Sequence, residues 1–97
     1  MTKITALVLL DEKDGDDSRH LEARIEPDGR LMLEGYDLGP TVKEYWGDSD
    51  YEYWLTVPAD YKDTLLIWLL QDRFPSSSAF MEWLKARDIP YEFSSHA

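Results

Sequence analysis

The feature that most constrains this chain is a strict alternation between residues 21 and 26. Leu21, Ala23 and Ile25 alternate with Glu22, Arg24 and Glu26. Successive side chains of a strand point to opposite faces, so this pattern makes a strand with one apolar and one charged side. Pro27-Asp28-Gly29 then supplies a turn, in which proline pre-sets φ and glycine is free to take φ > 0. Leu31 and Leu33 resume the alternation to about Glu34, so residues 20–34 read as a β-hairpin.

The flanking segments extend this frame. Ile4 to Leu10 is aliphatic on both faces and reads as a central strand. Asp11 to Ser18 holds five acids, one lysine and one glycine, and reads as a solvated loop. Pro40 opens a short helix with Val42, Tyr45 and Trp46 at helical spacing, closed by Gly47. Tyr51 to Val57 is a strand on aromatic and β-branched content. Tyr51, Tyr53, Leu55 and Val57 share one of its faces; Glu52, Trp54 and Thr56 share the other.

Pro58, Asp60 and Asp63 start a helix in which Tyr61, Leu65, Trp68 and Leu69 form an apolar stripe. Leu66, Ile67 and Leu70 widen that surface, so this helix should be covered on more than one side. It should end near Phe74, before Pro75. Ser76 and Ser77 are N-cap candidates for a further helix with Phe80, Trp83, Leu84 and Arg87 on one face. Ile89, Tyr91 and Phe93 alternate with Pro90, Glu92 and Ser94, which reads as an edge strand because Pro90 cannot donate to a ladder. The expected class is α+β, an antiparallel sheet of about five strands with two helices packed on one face, in a single domain over residues 1–97.

Composition then narrows the function. Twenty acids against ten bases leave a net charge of −10, which argues against nucleic acid and anionic membrane surfaces. The chain has no cysteine, so disulfides, thiolate zinc sites and cysteine nucleophiles are excluded. Asp11 and Glu12 cut off the short apolar run at the start, unlike a secretory signal. The longest apolar run, Leu65 to Leu70, is far below the roughly 20 residues of a membrane span. A soluble, cytoplasmic protein is expected.

Catalytic motifs are missing. A calcium loop begun at Asp14 has Asp16 and Ser18 in place, but Arg19 stands where glycine belongs and Ile25 where the bidentate glutamate belongs. The only histidines are His20 and His96, and no G-x-S-x-G or phosphate-cradling glycine loop occurs. The expectation is a protein that is not an enzyme, with no catalytic residue, no metal site and no cofactor. The segment that stands out is Tyr45 to Trp54, with five aromatics, three acids and no base in ten residues. Tyrosine and tryptophan are enriched in binding hot spots, and acids around them select a basic partner. Trp46, Asp48, Asp50, Tyr51, Glu52 and Trp54 are the candidate binding residues.

The run Asp28-Gly29-Arg30-Leu31-Met32-Leu33-Glu34-Gly35-Tyr36-Asp37-Leu38-Gly39-Pro40, with the strand and the Val57-Pro58-Ala59-Asp60 helix start that follow, resembles a family of small acidic uncharacterised, hypothetical bacterial proteins. The likeness covers about residues 21–65. It implies a bacterial cytoplasmic protein and carries no activity and no functional residue. In charge and size the chain is also similar to acidic inhibitors and immunity proteins that neutralise basic enzymes. The leading expectation is therefore a small non-enzymatic interaction module for a basic protein partner. The alternative is a small-molecule or divalent-metal-binding domain. A third reading is a homodimer formed through the helix containing Leu66, Ile67 and Leu70.

Overall fold

A computed structural model describes residues 3–96. The protein is α+β, with the elements β1 (Ala6–Asp14), β2 (Asp17–Ile25), β3 (Leu31–Leu38), α1 (Pro40–Trp46), β4 (Asp50–Val57), a 3-10 turn at Ala59–Tyr61, α2 (Lys62–Arg73) and α3 (Ser77–Ala86). The chain divides into two compact units, one over Ile4–Lys62 and one from Asp63 onward.

The first unit is an antiparallel meander in the order β1-β2-β3-β4. Cross-strand registry sorts its side chains into two faces. One is apolar, with rows Leu7–Ala23–Leu33–Leu55, Leu10–Leu21–Gly35–Tyr53 and Ile25–Leu31–Val57. The other is polar, with rows Val8–Glu22–Glu34–Trp54 and Asp11–His20–Tyr36–Glu52. On the polar face Arg24 donates to Glu34 at 2.6 Å and to Glu26 at 2.9 Å.

Three departures from expectation concern β1 and β2. The aliphatic strand is not central: β1 lies at the edge of the sheet, paired with β2 alone among the described residues. The acid-rich stretch is a hairpin rather than a loop: β1 runs on to Asp14, β2 begins at Asp17, and Gly15 makes the turn with a left-handed φ of 62°. A bulge between Val8 and Leu10 inserts one unpaired residue, Leu9, into β1. Beyond the bulge, Leu10 faces the apolar side and Glu12 lies opposite Arg19.

Gly35 is the one buried residue among those described. The Tyr53 ring lies directly over it, and a methyl group at this position would overlap that ring. Tyr53 continues into an aromatic stack, with Tyr51 at 5.6 Å and Tyr51 to Trp46 at 4.6 Å with the rings only 4° from parallel. This stack ties the end of α1 to the apolar face.

In the second unit Ser76 caps α3 by accepting from the Ala79 N–H at 3.1 Å. Phe74, Phe80 and Trp83 form an aromatic cluster with centroids 5.0 to 6.3 Å apart, and the Arg87 guanidinium sits 4.1 Å over Trp83. α3 ends with Asp88 in a left-handed conformation (φ 54°), while the Ile89 N–H closes onto the Leu84 carbonyl at 3.0 Å. Leu66 and Ile67 on α2 are exposed and Leu70 is half-buried. The expected fifth strand is corrected: Ile89–Phe93 forms no strand, and the sheet has four. Side-chain alternation was its only support, and Pro90 brings no N–H to a ladder. The described residues form three α-helices, the two expected longer ones, α2 and α3, and the short α1 that opens at Pro40. Among the described residues no helix is long and apolar enough to cross a membrane.

Candidate functional site

The sequence between Leu38 and Asp50 folds as a capped helix because each end carries the residue that its geometry needs. Gly39 has a φ of 122°, and a side chain there would come within 2.6 Å of the Asp16 carbonyl oxygen. Pro40 provides the fixed φ of a first helical residue. Gly47 closes α1 in the left-handed region, its N–H bonded to the Lys43 carbonyl at 2.8 Å. Since Gly39 has no side chain to cap the helix, Asp17 reaches across from β2. The Thr41 N–H donates to Asp17 Oδ1 at 3.0 Å and the Thr41 hydroxyl donates to Oδ2 at 2.7 Å. The Thr41 hydroxyl, followed by its N–H, holds the Asp17 carboxyl below its ordinary pKa.

This clasp places α1 over the acidic end of the apolar face and leaves a cleft of about 360 Å³ between them. The cleft lies wholly within the Ile4–Lys62 unit. Its walls carry four carboxylates, Glu12, Asp14, Asp17 and Asp37, against a single guanidinium, Arg19. Tyr45 and Trp46 line it from α1 and are 78% and 62% exposed. The carboxylates are not equivalent. Asp17 is committed to Thr41, and Glu12 pairs with Arg19 at 3.7 Å. Asp14 and Asp37 have no ion-pair partner among the described residues.

The residues singled out in the sequence do not all converge here. Trp46 and Tyr51 stack on each other at the rim of the cleft. Asp48 is exposed in the turn between α1 and β4. Asp50, Glu52 and Trp54 alternate onto the opposite, polar face of β4, where Glu52 pairs across to Tyr36 and Trp54 to Glu34. There the Tyr36 ring stacks on His20 at 5.0 Å and Trp54 is 56% exposed. Reading the sequence passed over Glu12, Asp14, Asp17 and Asp37 as site residues. The signal was present in the i, i+2 spacing of Glu12 and Asp14, which puts both on one face once the stretch is a strand.

No set of three or more His, Asp or Glu side chains among the described residues is arranged to hold a metal ion. Chemically, the cleft presents carboxylates, the hydroxyls of Ser18 and Thr41, and aromatic rings. Compared with family models, curated proteins and solved structures, the chain matches none.

Proposed function

We propose that this protein is a non-enzymatic interaction module that binds a basic protein partner, in the manner of a small acidic inhibitor or immunity protein. The observation that carries this reading is the cleft beneath α1, where four carboxylates face one guanidinium beside two exposed aromatic rings. Charge of one sign in a concave site steers an oppositely charged partner, and exposed tyrosine and tryptophan supply contact area at low entropic cost. The net charge of −10 extends the same field over the rest of the surface. Trp46 and Tyr51 anchor at the cleft and Asp48 steers beside it in this reading, while Asp50, Glu52 and Trp54 offer a second acidic-aromatic surface on the opposite face of the sheet.

The test is affinity capture with the parent protein and two charge-neutralised variants, at low and at moderate salt. One variant replaces Asp48, Asp50 and Glu52 by Asn, Asn and Gln; the other replaces Asp14 and Asp37 by Asn. A basic protein retained by the parent, weakened by salt and lost from either variant supports the reading. Retention that ignores both salt and charge removal refutes it, since steered association is screened beyond about 10 Å at 0.1 M salt.

Self-association through α2 is a second reading, favoured by the apolar residues Leu66, Ile67 and Leu70, which widen that helix's apolar surface beyond one stripe. It predicts the opposite salt dependence, because copies carrying −10 repel one another until salt screens them. Sedimentation at rising salt separates the two.

A further inference from the structure

We infer that the Asp14–Gly15 step, at the tip of the β1–β2 hairpin, is a site of spontaneous covalent modification at which aspartate converts to isoaspartate. The conversion needs no partner and no bound group, only water. The Gly15 amide nitrogen attacks Cγ of Asp14, and its proton leaves with the carboxyl hydroxyl as one water, closing a five-membered succinimide ring. A second water then opens the ring. Addition at the former backbone carbonyl of Asp14 breaks its bond to the Gly15 nitrogen, so the main chain runs through the former Cγ and gains one methylene. Addition at the other carbonyl restores aspartate. One water is lost and one taken up, with no oxidant or reductant.

The chain has two Asp-Gly steps, Asp14–Gly15 and Asp28–Gly29, and the fold treats them differently. A glycine after the acid favours the reaction because no side chain shields the attacking nitrogen. At Asp28–Gly29 both reacting groups are occupied. The Asp28 carboxylate accepts from the Arg30 N–H at 3.1 Å and pairs with the Arg30 guanidinium at 2.8 Å. The Gly29 N–H donates to the Glu26 carbonyl at 2.8 Å. A carboxylate held as an ion is a poor electrophile, and a bonded amide must give up its partner before it can turn to Cγ. At Asp14–Gly15 both groups are free. Among the described residues the Asp14 side chain makes no hydrogen bond or ion pair, and the Gly15 N–H makes no backbone hydrogen bond. A methyl group at Gly29 would lie 3.2 Å from the Ala59 Cβ, while one at Gly15 would meet nothing within 4 Å. Asp14 pairs with Asp17 at the end of the ladder, so opening the backbone there disturbs only the tip. Asp17–Ser18 and Asp48–Ser49 carry a side chain on the attacking residue, and Asp17 is committed to Thr41.

The added methylene falls at the last pair of the hairpin, so isoaspartate here should unpair the tip and displace one carboxylate of the cleft. The experiment ages the full chain at mildly acidic pH, one sample folded in buffer and one unfolded in concentrated urea, and maps the peptides by mass spectrometry. Isoaspartate is read from electron-transfer fragments and from methyl transfer by an isoaspartyl methyltransferase, and the succinimide as a peptide lighter by one water. In the folded sample isoaspartate should accumulate at Asp14 several-fold ahead of Asp28; in urea the two rates should come together. Asp14→Glu keeps the charge but would have to close a six-membered ring, so the folded-state signal at the hairpin should be lost. Arg30→Ala removes the guanidinium from Asp28 and should raise conversion there, with Asp14 unchanged.

Equal conversion at the two steps in the folded chain, or faster conversion at Asp28, would overturn the inference. So would an Asp14 that stays intact in the folded sample while the urea sample converts. A methyl-acceptor signal as strong in Asp14→Glu as in the parent would place the modification elsewhere and overturn this assignment as well.

Discussion

Replacing Gly35 by alanine tests whether the aromatic stack is a packed element or a loose arrangement of rings. Gly35 is directly opposite Tyr53, and the added methyl would overlap the Tyr53 ring, so the ring must leave. Overpacking a filled site costs about 1–3 kcal/mol. Displacing Tyr53 also breaks its stack on Tyr51, at a further cost of about 0.5–1.5 kcal/mol. Against this, alanine narrows the unfolded ensemble and returns about 0.4–1 kcal/mol. The net expectation is a destabilisation of about 2 kcal/mol, or a melting temperature lowered by roughly 10 °C for a chain of this size. Urea titration followed by far-UV circular dichroism measures the stability, and near-UV dichroism reports the stack. The companion variant Tyr53→Ala makes the reasoning exacting: with the ring gone, Gly35→Ala should become neutral or slightly stabilising. A Gly35→Ala protein as stable as the parent, or the same loss with and without Tyr53, would refute the account.

Gly39→Ala should cost about 1–2 kcal/mol from the left-handed φ alone and should detach α1 from Asp17, seen as a lost Thr41 amide shift. Ser76→Ala removes the acceptor for the Ala79 N–H and should cost about 1 kcal/mol, read as reduced helicity by far-UV circular dichroism. Acidification should destabilise the sheet unit. The Glu34 carboxyl is lowered mainly by the hydrogen bond from Arg24, Asp17 by the Thr41 hydroxyl, and Asp28 by the Arg30 N–H. A carboxyl whose folded pKa lies below its unfolded value adds stability above the unfolded pKa, and that stability is lost as pH falls through the folded one. The urea midpoint should therefore hold from neutrality to about pH 5 and fall below about pH 4, with a shallower fall in Glu34→Gln. A midpoint flat to pH 2, or one that rises on acidification, would contradict this.

The elements legible in the sequence were those with a local physical cause. The Leu21–Ile25 alternation, the turn at Pro27-Asp28-Gly29, the Pro40 start and Gly47 stop of α1, and the Ser76 cap all stand in the structure. The rest depended on neighbours that one segment does not reveal. Residues 11–18 looked like a loop because high charge reads as solvation, yet charges are tolerated on a strand face that meets water. Ile89–Phe93 looked like a strand because alternation reports which side chains share a side and not whether a partner strand is present. The acidic-aromatic stretch looked like one surface because its residues are adjacent in sequence. Period-two geometry in β4 instead sends Tyr51 and Trp54 to opposite faces. The acids of the cleft come from three strands and were assembled only by register.

That register depends on one residue being left out of it. Because Leu9 is an unpaired insertion in β1, everything from Leu10 to Asp14 is turned by one step relative to Ala6–Val8. A chain lacking Leu9 would lose the bulge and keep the pairing, with Leu10 opposite Leu21 and Glu12 opposite Arg19. A chain that drew Leu9 into line opposite Leu21 would instead set Leu10 against His20 and turn Glu12 and Asp14 to the polar side of the sheet. An aliphatic residue that pairs with nothing thus delivers two of the four carboxylates to the cleft.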